Sequence, residues 1–589
     1  MLTLNLVMDQ ADSRALAQPV RVARPWATWV GLGLLLIAWS VMVGTFWAPA
    51  ITHPDANGYW AQGTLMTHTG HSTYTLQSHA QYVGMHWLLT EKGDFISRYP
   101  PGFPLVVGLV YESLGWQAST LINPILGLFT LLGVYALGAR LASPALGLFA
   151  TALVALNPGF TSHALTDIAH MPVAFLLVWG FWFLVRWSGS HRLRDIALAG
   201  LLLGFIPTTR YPDAIVALGV GTFILWHWRR VPRFGLHLAV SVGAALIPIV
   251  PMLIRNHLVL GSFWKTGYAL TNEQTGFTFG YFTSHAVGYL KLLQNNGLGM
   301  ALALGLIGMV MLLASGRTRA VGMLLALAGI PFVMLYMAYY WAPGIANGGS
   351  APMRFLVPVV PLFVVASAFA LSQMSASVPR AARVAIPILI VSLHALLFGA
   401  DMVNELRRIN QNKVPLAMIT ESLIGQTEPG DVIISNNQLH QHLEFLQRWK
   451  LAESSIVSGR NAGSRGAARD PDDPAPMQQA KNDFRRSLYP DADLAPTKFR
   501  DDVMTWADGA GIYVVGSEAD VRRIPGFQAD DWVVIERIEL PALPQTTDAR
   551  PDAGGPRVAG GQPPARGGRG GGAFRPGEPV VIAKYEPAS

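Results

Sequence analysis

The chain has 589 residues, of which 51% are apolar and only 13% are charged, with a net charge of +7 and no cysteine. Soluble proteins carry roughly 25% charged residues, so an all-soluble fold is excluded for much of the chain. Disulfides, cysteine-ligated zinc and thiol chemistry are excluded as well.

Residues 1–25 place Arg14, Arg21 and Arg24 ahead of the first apolar run and read as a cytoplasmic N-terminus. The run that follows, of about 22 residues, is too long for a signal-peptide core and reads as a retained first span. Further apolar runs lie at 119–138, 144–159, 167–186, 195–208, 212–228, 234–254, 297–314, 319–341, 354–374 and 384–401. With 26–48 they predict about eleven spans, several shorter than the ideal of about 20 residues. Counting charges tests the arrangement. With the N-terminus inside, Arg140, the 186–194 arginines, the 229–233 arginines, Arg317 with Arg319, and Arg380 with Arg383 all fall on the inner side, as the positive-inside rule requires. This holds only if 100–115 (PPGFPLVVGLVYESLG) does not cross, and its prolines and length suit a re-entrant or interfacial helix. The +7 balance then follows from the inner-face arginines and a basic tail, and it implies no acidic partner.

The outer side is expected to receive the first outer loop, 49–118, the turns 157–167, 208–213 and 342–353, the loop 255–296, and everything beyond 401. From 402 to 589 the composition becomes soluble. GDVIISNN (430–437), GIYVVG (511–516) and DWVVIERIEL (531–540) have strand patterns, and LHQHLEFLQRWK (439–450) has the pattern of an amphipathic helix. This predicts a periplasmic or extracellular α/β domain. Residues 541–577, rich in Gly, Arg and Pro, are expected to form a disordered insertion in a hairpin with arms 531–540 and 579–586. On an outer face that Arg/Gly stretch has no nucleic acid to meet. The fold class is therefore an α-helical polytopic membrane protein with a C-terminal α/β outer-face domain.

Ionisable residues beside spans are costly and mark candidate sites. The first outer loop has Asp55, Asn57, His86, Arg98 and Tyr99; HALTDIAH has Asp167 and His170; PTTRYPDA has Arg210 and Asp213; RNHLVLGSFWKTGY has Arg255 and Lys265; and NGGSAPMRFLVP has Arg354. Each has a structural alternative. Asp55 follows a proline and fits a helix start, Asp167 fits a helix cap or a pair with Arg210, and Arg210 fits a pair with Asp213. Together they suit different chemistry. Cations at a membrane surface suit a phosphate, and a carboxylate among them suits a general base. None of the histidines has HxxxH or HExxH spacing, so a divalent metal has no ligand pattern to support it, and no cofactor is implied.

The order of these segments resembles the GT-C glycosyltransferases of bacteria, the group that includes protein O-mannosyltransferase-like enzymes and lipid A aminoarabinose transferases. The resemblance covers roughly 26–400 and is carried best by RYPPGFPLV (98–106) and TRYPDA (209–214). It implies transfer of a sugar from a polyprenyl-phosphate donor to an acceptor hydroxyl on the outer face of the bacterial inner membrane. The acceptor is a glycan, a lipid or a protein. In this reading Asp55 is the base. Arg98 and Tyr99 hold the donor phosphate with Arg210, Lys265 and Arg354, while Asn57, His86, Asp167 and His170 contact or orient the acceptor. Many relatives have a second acid directly after the first, where this chain has Ala56 and Asn57. The competing reading is a polytopic transporter or a flippase for lipid-linked sugars, for which midplane charges and repeated halves are expected.

Overall fold

A computed structural model describes residues 25–375, 378–454, 457, 474–480, 495–541, 574 and 577–587. All eleven predicted apolar runs are helical. Among the described residues, seven helices are long and apolar enough to cross a membrane. They are Trp26–Phe46, Trp116–Leu141, His170–Ser190, Phe234–Leu260, Arg319–Met337, Met353–Met374 and Arg380–Gln426. An eighth crossing is available if Phe279–Leu298 and Met300–Ala314, bent by 105° at their junction, are counted as one. The other runs form shorter helices. Pro144–Ala155 has 12 residues, about 18 Å at 1.5 Å per residue, well short of a hydrocarbon core of roughly 30 Å. The segment read as non-crossing is the 13-residue helix Gly102–Leu114.

Met353–Met374 is the central span, with 94% of its apolar window buried. The outer helices instead turn Leu34, Ile37, Ile247 and Leu396 outward, each more than 60% exposed, as lipid-facing helices do. At one end of the bundle the first loop forms the helix Pro54–Thr69 and a three-stranded antiparallel sheet. That sheet contains β1 (Thr73–Tyr74), β2 (Trp87–Leu89) and β3 (Phe95–Ser97), in the order β1-β3-β2. The helix crosses Gly102–Leu114 with almost no gap. A methyl group on Gly63 would lie 2.2 Å from the Pro104 carbonyl oxygen, and one on Gly108 would lie 2.3 Å from the Gly63 oxygen.

The C-terminal domain has a five-stranded mixed sheet of β4 (Val432–Ile434), β5 (Lys450–Ala452), β6 (Ile512–Gly516), β7 (Trp532–Ile538) and β8 (Val580–Tyr585), ordered β5-β4-β6-β8-β7. The β4–β5 and β4–β6 pairs are parallel, and β8 lies antiparallel to both β6 and β7. The expected hairpin arms do pair, as β7 and β8. The expected insertion at 541–577 lies almost entirely outside the described residues. Two expectations need correction. The domain boundary at 401/402 falls inside a single 47-residue helix, Arg380–Gln426, because apolar residues give way to an amphipathic pattern there without any helix-breaking signal. The amphipathic stretch 439–450 is helical only through Leu446, and Lys450 already belongs to β5. Gln447, with φ +50°, makes the turn between them.

This domain is not a separate body. One apolar cluster contains Tyr59, Trp60 and Phe103 together with Leu443, Phe445 and Ile582. The first loop also extends the sheet, with Gln81 bridging Ala452 and the Tyr82 N–H donating to the Leu451 oxygen at 2.7 Å. On the helix Pro54–Thr69, Asn57 donates to the Gln441 oxygen at 3.0 Å and to Glu444 Oε2 at 2.5 Å.

Two expectations follow. Gly63→Ala should overpack the helix crossing and cost about 1–3 kcal/mol, read as a lower Tm of the purified protein. Burial raises Glu444 to about 8, against the opposing hydrogen bonds from Asn57 and Trp87. A carboxyl raised on folding contributes stability that is complete below its unfolded value and lost as pH rises through the folded one. Tm should therefore fall between about pH 4.5 and 8, and Glu444→Gln should flatten that part of the profile; an unchanged profile would contradict the assignment.

Candidate active site

The helix Pro54–Thr69 begins at the mouth of the first span because His53 and Pro54 start it. Pro54 supplies the fixed φ of a first helical position, and His53 Nδ1 accepts the Asp55 N–H at 3.2 Å. Asp55 is thus the helix-start acid that its position suggested, and it also faces a cavity of about 220 Å³. The cavity is lined by His86, Arg98, Tyr99, His170, Arg210 and Arg354, all named from sequence. It is also lined by Tyr59, Tyr268, Glu273, Tyr339, Trp341 and Phe355.

Local structure explains the convergence. The β2–β3 hairpin brings His86 beside Arg98, whose N–H donates to the His86 oxygen at 3.0 Å. Tyr99 then stacks on Tyr59, with ring centroids 4.2 Å apart. Arg354 is the second residue of the central span and reaches back across the bundle to the first loop.

The Asp55 side chain is only 16% exposed, and four side chains surround its carboxylate. Arg354 Nη1 is 2.9 Å from Oδ2 and His53 Nδ1 is 3.1 Å from the same oxygen. His86 Nε2 is 2.9 Å from Oδ1, and the Tyr99 hydroxyl donates to Oδ1. Burial alone would raise Asp55, but Arg354, His53 and His86 together hold it well below the ordinary carboxylate range. Burial lowers His86 against the pull of Asp55, and burial followed by Asp55 pushes Tyr99 well up, so the phenol keeps its proton.

Each arginine in the cavity has its own carboxylate. Arg98 is 2.7 Å from Glu273 Oε2 and lies over the Tyr268 ring, 4.9 Å from its centroid. Arg210 is 3.0 Å from Asp213 and donates to the Tyr336 hydroxyl at 2.9 Å, and that hydroxyl in turn donates to Asp213 at 2.6 Å. Arg354 lies 4.1 Å from the Trp341 ring centroid while it holds Asp55. Pairing of this kind is what lets a charge remain in a water-poor site.

Three of the residues assigned to donor or acceptor lie elsewhere. Lys265 makes a surface pair with Glu91 at 2.8 Å. Asn57 faces the sheet domain rather than the cavity. Asp167 neither caps the following helix nor meets Arg210; it is buried 2.6 Å from Lys413. Sequence reasoning passes over Glu273, a carboxylate in the loop before a span, and the Tyr339–Tyr340–Trp341 run. Glu273 carries the signal of an ionisable residue beside the membrane. The aromatic run has the pattern of an ordinary interfacial belt, and only the fold turns it inward.

Residues 99–254 match the model of a family described as dolichyl-phosphate-mannose-protein mannosyltransferase. Among solved structures the chain is similar to ArnT from Cupriavidus metallidurans bound to undecaprenyl phosphate, with a TM-score of 0.55 and 14% identity over 95% of this chain and 98% of that one. The apo form of the same protein gives a TM-score of 0.53 at 13% identity, over 95% and 98% of the two chains. Among curated proteins no sequence relative is found. The resemblance read from the sequence therefore holds at the level of fold: the chain is a multi-span membrane protein built on the fold of the GT-C glycosyltransferases, with a C-terminal sheet domain.

Proposed function

We propose that the chain transfers a sugar from a polyprenyl-phosphate donor to an acceptor hydroxyl, with Asp55 as the base. The observation that carries this reading is the cavity itself, where a carboxylate and three arginines share about 220 Å³. The fold shared with a protein bound to undecaprenyl phosphate supports a lipid-phosphate donor. The basic clusters at the opposite span ends support a periplasmic cavity. For a transporter, charges would be expected near the midplane, whereas Asp55, Arg98 and Glu273 all lie outside the candidate spans and Arg354 lies at the start of one.

In this mechanism the acceptor hydroxyl approaches Asp55 and gives up its proton to the carboxylate. Its oxygen bonds to the anomeric carbon as the bond from that carbon to the phosphate oxygen breaks. The electron pair leaves with the polyprenyl phosphate from the opposite face, so the configuration inverts. Arg98, Arg210 and Arg354 stabilise the charge that develops on the phosphate. The contact between Arg354 and Asp55 supports a coupling between the two halves of the reaction. Arg354 is the strongest influence holding Asp55 acidic. A donor phosphate that draws Arg354 away would raise the carboxylate toward the basicity that proton removal needs. The base is then restrained until the donor is bound. Aromatic side chains from Tyr59 to Phe355 supply the apolar walls against which a sugar ring can rest, and Glu273 offers a further acceptor.

Asp55→Asn should lower turnover by roughly 10²–10⁴-fold while polyprenyl-phosphate binding persists; transfer at the wild-type rate would remove Asp55 from the role. Arg354→Ala should weaken binding of polyprenyl phosphate, and calorimetry or competition with a labelled donor reads this directly. The acid limb of kcat/KM for the acceptor reports the base in the enzyme before the acceptor binds. With Asp55 held low in the free enzyme, that limb should lie below the ordinary carboxylate value of about 4 when the donor is limiting, and should move up when the donor is saturating. A limb near 6.5 in both cases would point to a histidine instead.

A further inference from the structure

We propose that Lys413 is a positioning residue that fixes one wall of the cavity and makes the helix leading into the sheet domain part of the active structure. The inference rests on the sugar-transfer reading for its consequence, but not for its structural content. Asp167 sits in the short turn between Pro158–His163 and His170–Ser190. Its neighbour Ile168 and the nearby His170 both line the cavity. The Lys413 Nζ and Asp167 Oδ2 atoms lie 2.6 Å apart, with the side chains 1% and 2% exposed. Neither atom has any other hydrogen-bond partner among the described residues.

The turn is held from its other side by Asn123, whose amide donates to the Thr166 oxygen at 2.6 Å and to the Ile168 oxygen at 2.9 Å. Asn123 grips only the backbone, and Lys413 is the cation that pairs with the Asp167 side chain. Along the same helix, Asn410 donates to the Phe46 oxygen at the end of the first span, at 3.0 Å. Leu416, Ala417 and Leu423 continue into the cluster that joins the first loop to the sheet domain. One helix therefore touches the mouth of the first span, the turn behind the cavity and the sheet domain in succession. An ion pair this deeply buried is not needed for stability, because an apolar pair of similar volume serves as well or better. Removing one partner, by contrast, leaves a buried charge with nothing to face.

The test uses full-length protein in lipid, with Lys413→Met, Lys413→Arg and the double variant Lys413→Met/Asp167→Leu. Hydrogen exchange of residues 164–170 is measured alongside donor KM and kcat. Lys413→Met should speed exchange in that segment by about tenfold or more and lower kcat/KM by a similar factor, at temperatures where the rest of the bundle stays protected. Lys413→Arg should recover most of both. The double variant should restore protection of the turn to within about threefold and so show that the single variant fails locally rather than globally. Wild-type exchange in folded Lys413→Met would overturn the proposal, as would protected exchange with unaltered kinetics in a protein that transfers sugar. If the wild-type protein transfers no sugar, the functional reading fails, and the exchange measurement still decides whether Lys413 holds the turn. If Lys413→Met does not fold, unrestored exchange in the double variant overturns the proposal.

Discussion

The ion pair between Asp55 and Arg354 is the contact on which the rest of the site depends. It joins the first turn after the first span to the second residue of the central span, 299 residues further along the chain. A carboxylate placed there without a partner would be driven to protonate by its burial. Paired, it stays ionised and anchors a ring of neighbours, since His53, His86 and Tyr99 all orient on it. The same logic repeats at Arg98 with Glu273 and at Arg210 with Asp213. The cavity is thus built from three charge pairs that balance one another. An incoming anion meets guanidinium groups already held in place but already engaged. In the proposed reaction, donor binding would exchange carboxylate partners for phosphate oxygens and so link donor binding to the basicity of Asp55.

The sheet domain enters the same network. Its short helix meets the helix of Asp55 through Asn57 and Glu444, and its edge strand is extended by the first loop. Asn57 stands two residues from Asp55 on the same helix. That position is not free for substrate here, because it is committed to docking the domain. A carboxylate at Asn57 would face Glu444 at hydrogen-bond distance.

Much of this is legible in the sequence. Apolar runs cover all seven long candidate spans, because burial in lipid demands uninterrupted backbone pairing. The charge count sets residues 100–115 apart from the other apolar runs, and they fold as the short helix Gly102–Leu114. Asp55, His86, Arg98, Tyr99, His170, Arg210 and Arg354 are marked as a set by their cost near a membrane, and all line one cavity. The pairings are hidden, since partner choice is decided by packing between distant segments. Nothing local tells Asp167 to choose Lys413 over Arg210, or Lys265 to choose Glu91. The domain boundary is misplaced for a related reason: a helix does not end where the solvent around it changes. Glu273 and Tyr339 escape notice because a loop carboxylate and an aromatic span end each have an ordinary explanation until the fold turns them toward the same space.

The most direct test of sugar transfer at this cavity follows both products in one vessel. Purified protein in liposomes would be given a polyprenyl-phosphate sugar and an acceptor, with free polyprenyl phosphate and glycosylated acceptor counted together. The account predicts one polyprenyl phosphate released for each sugar transferred, with inverted configuration at the anomeric carbon. Movement of intact donor between leaflets with no release, or release with retained configuration, would contradict it.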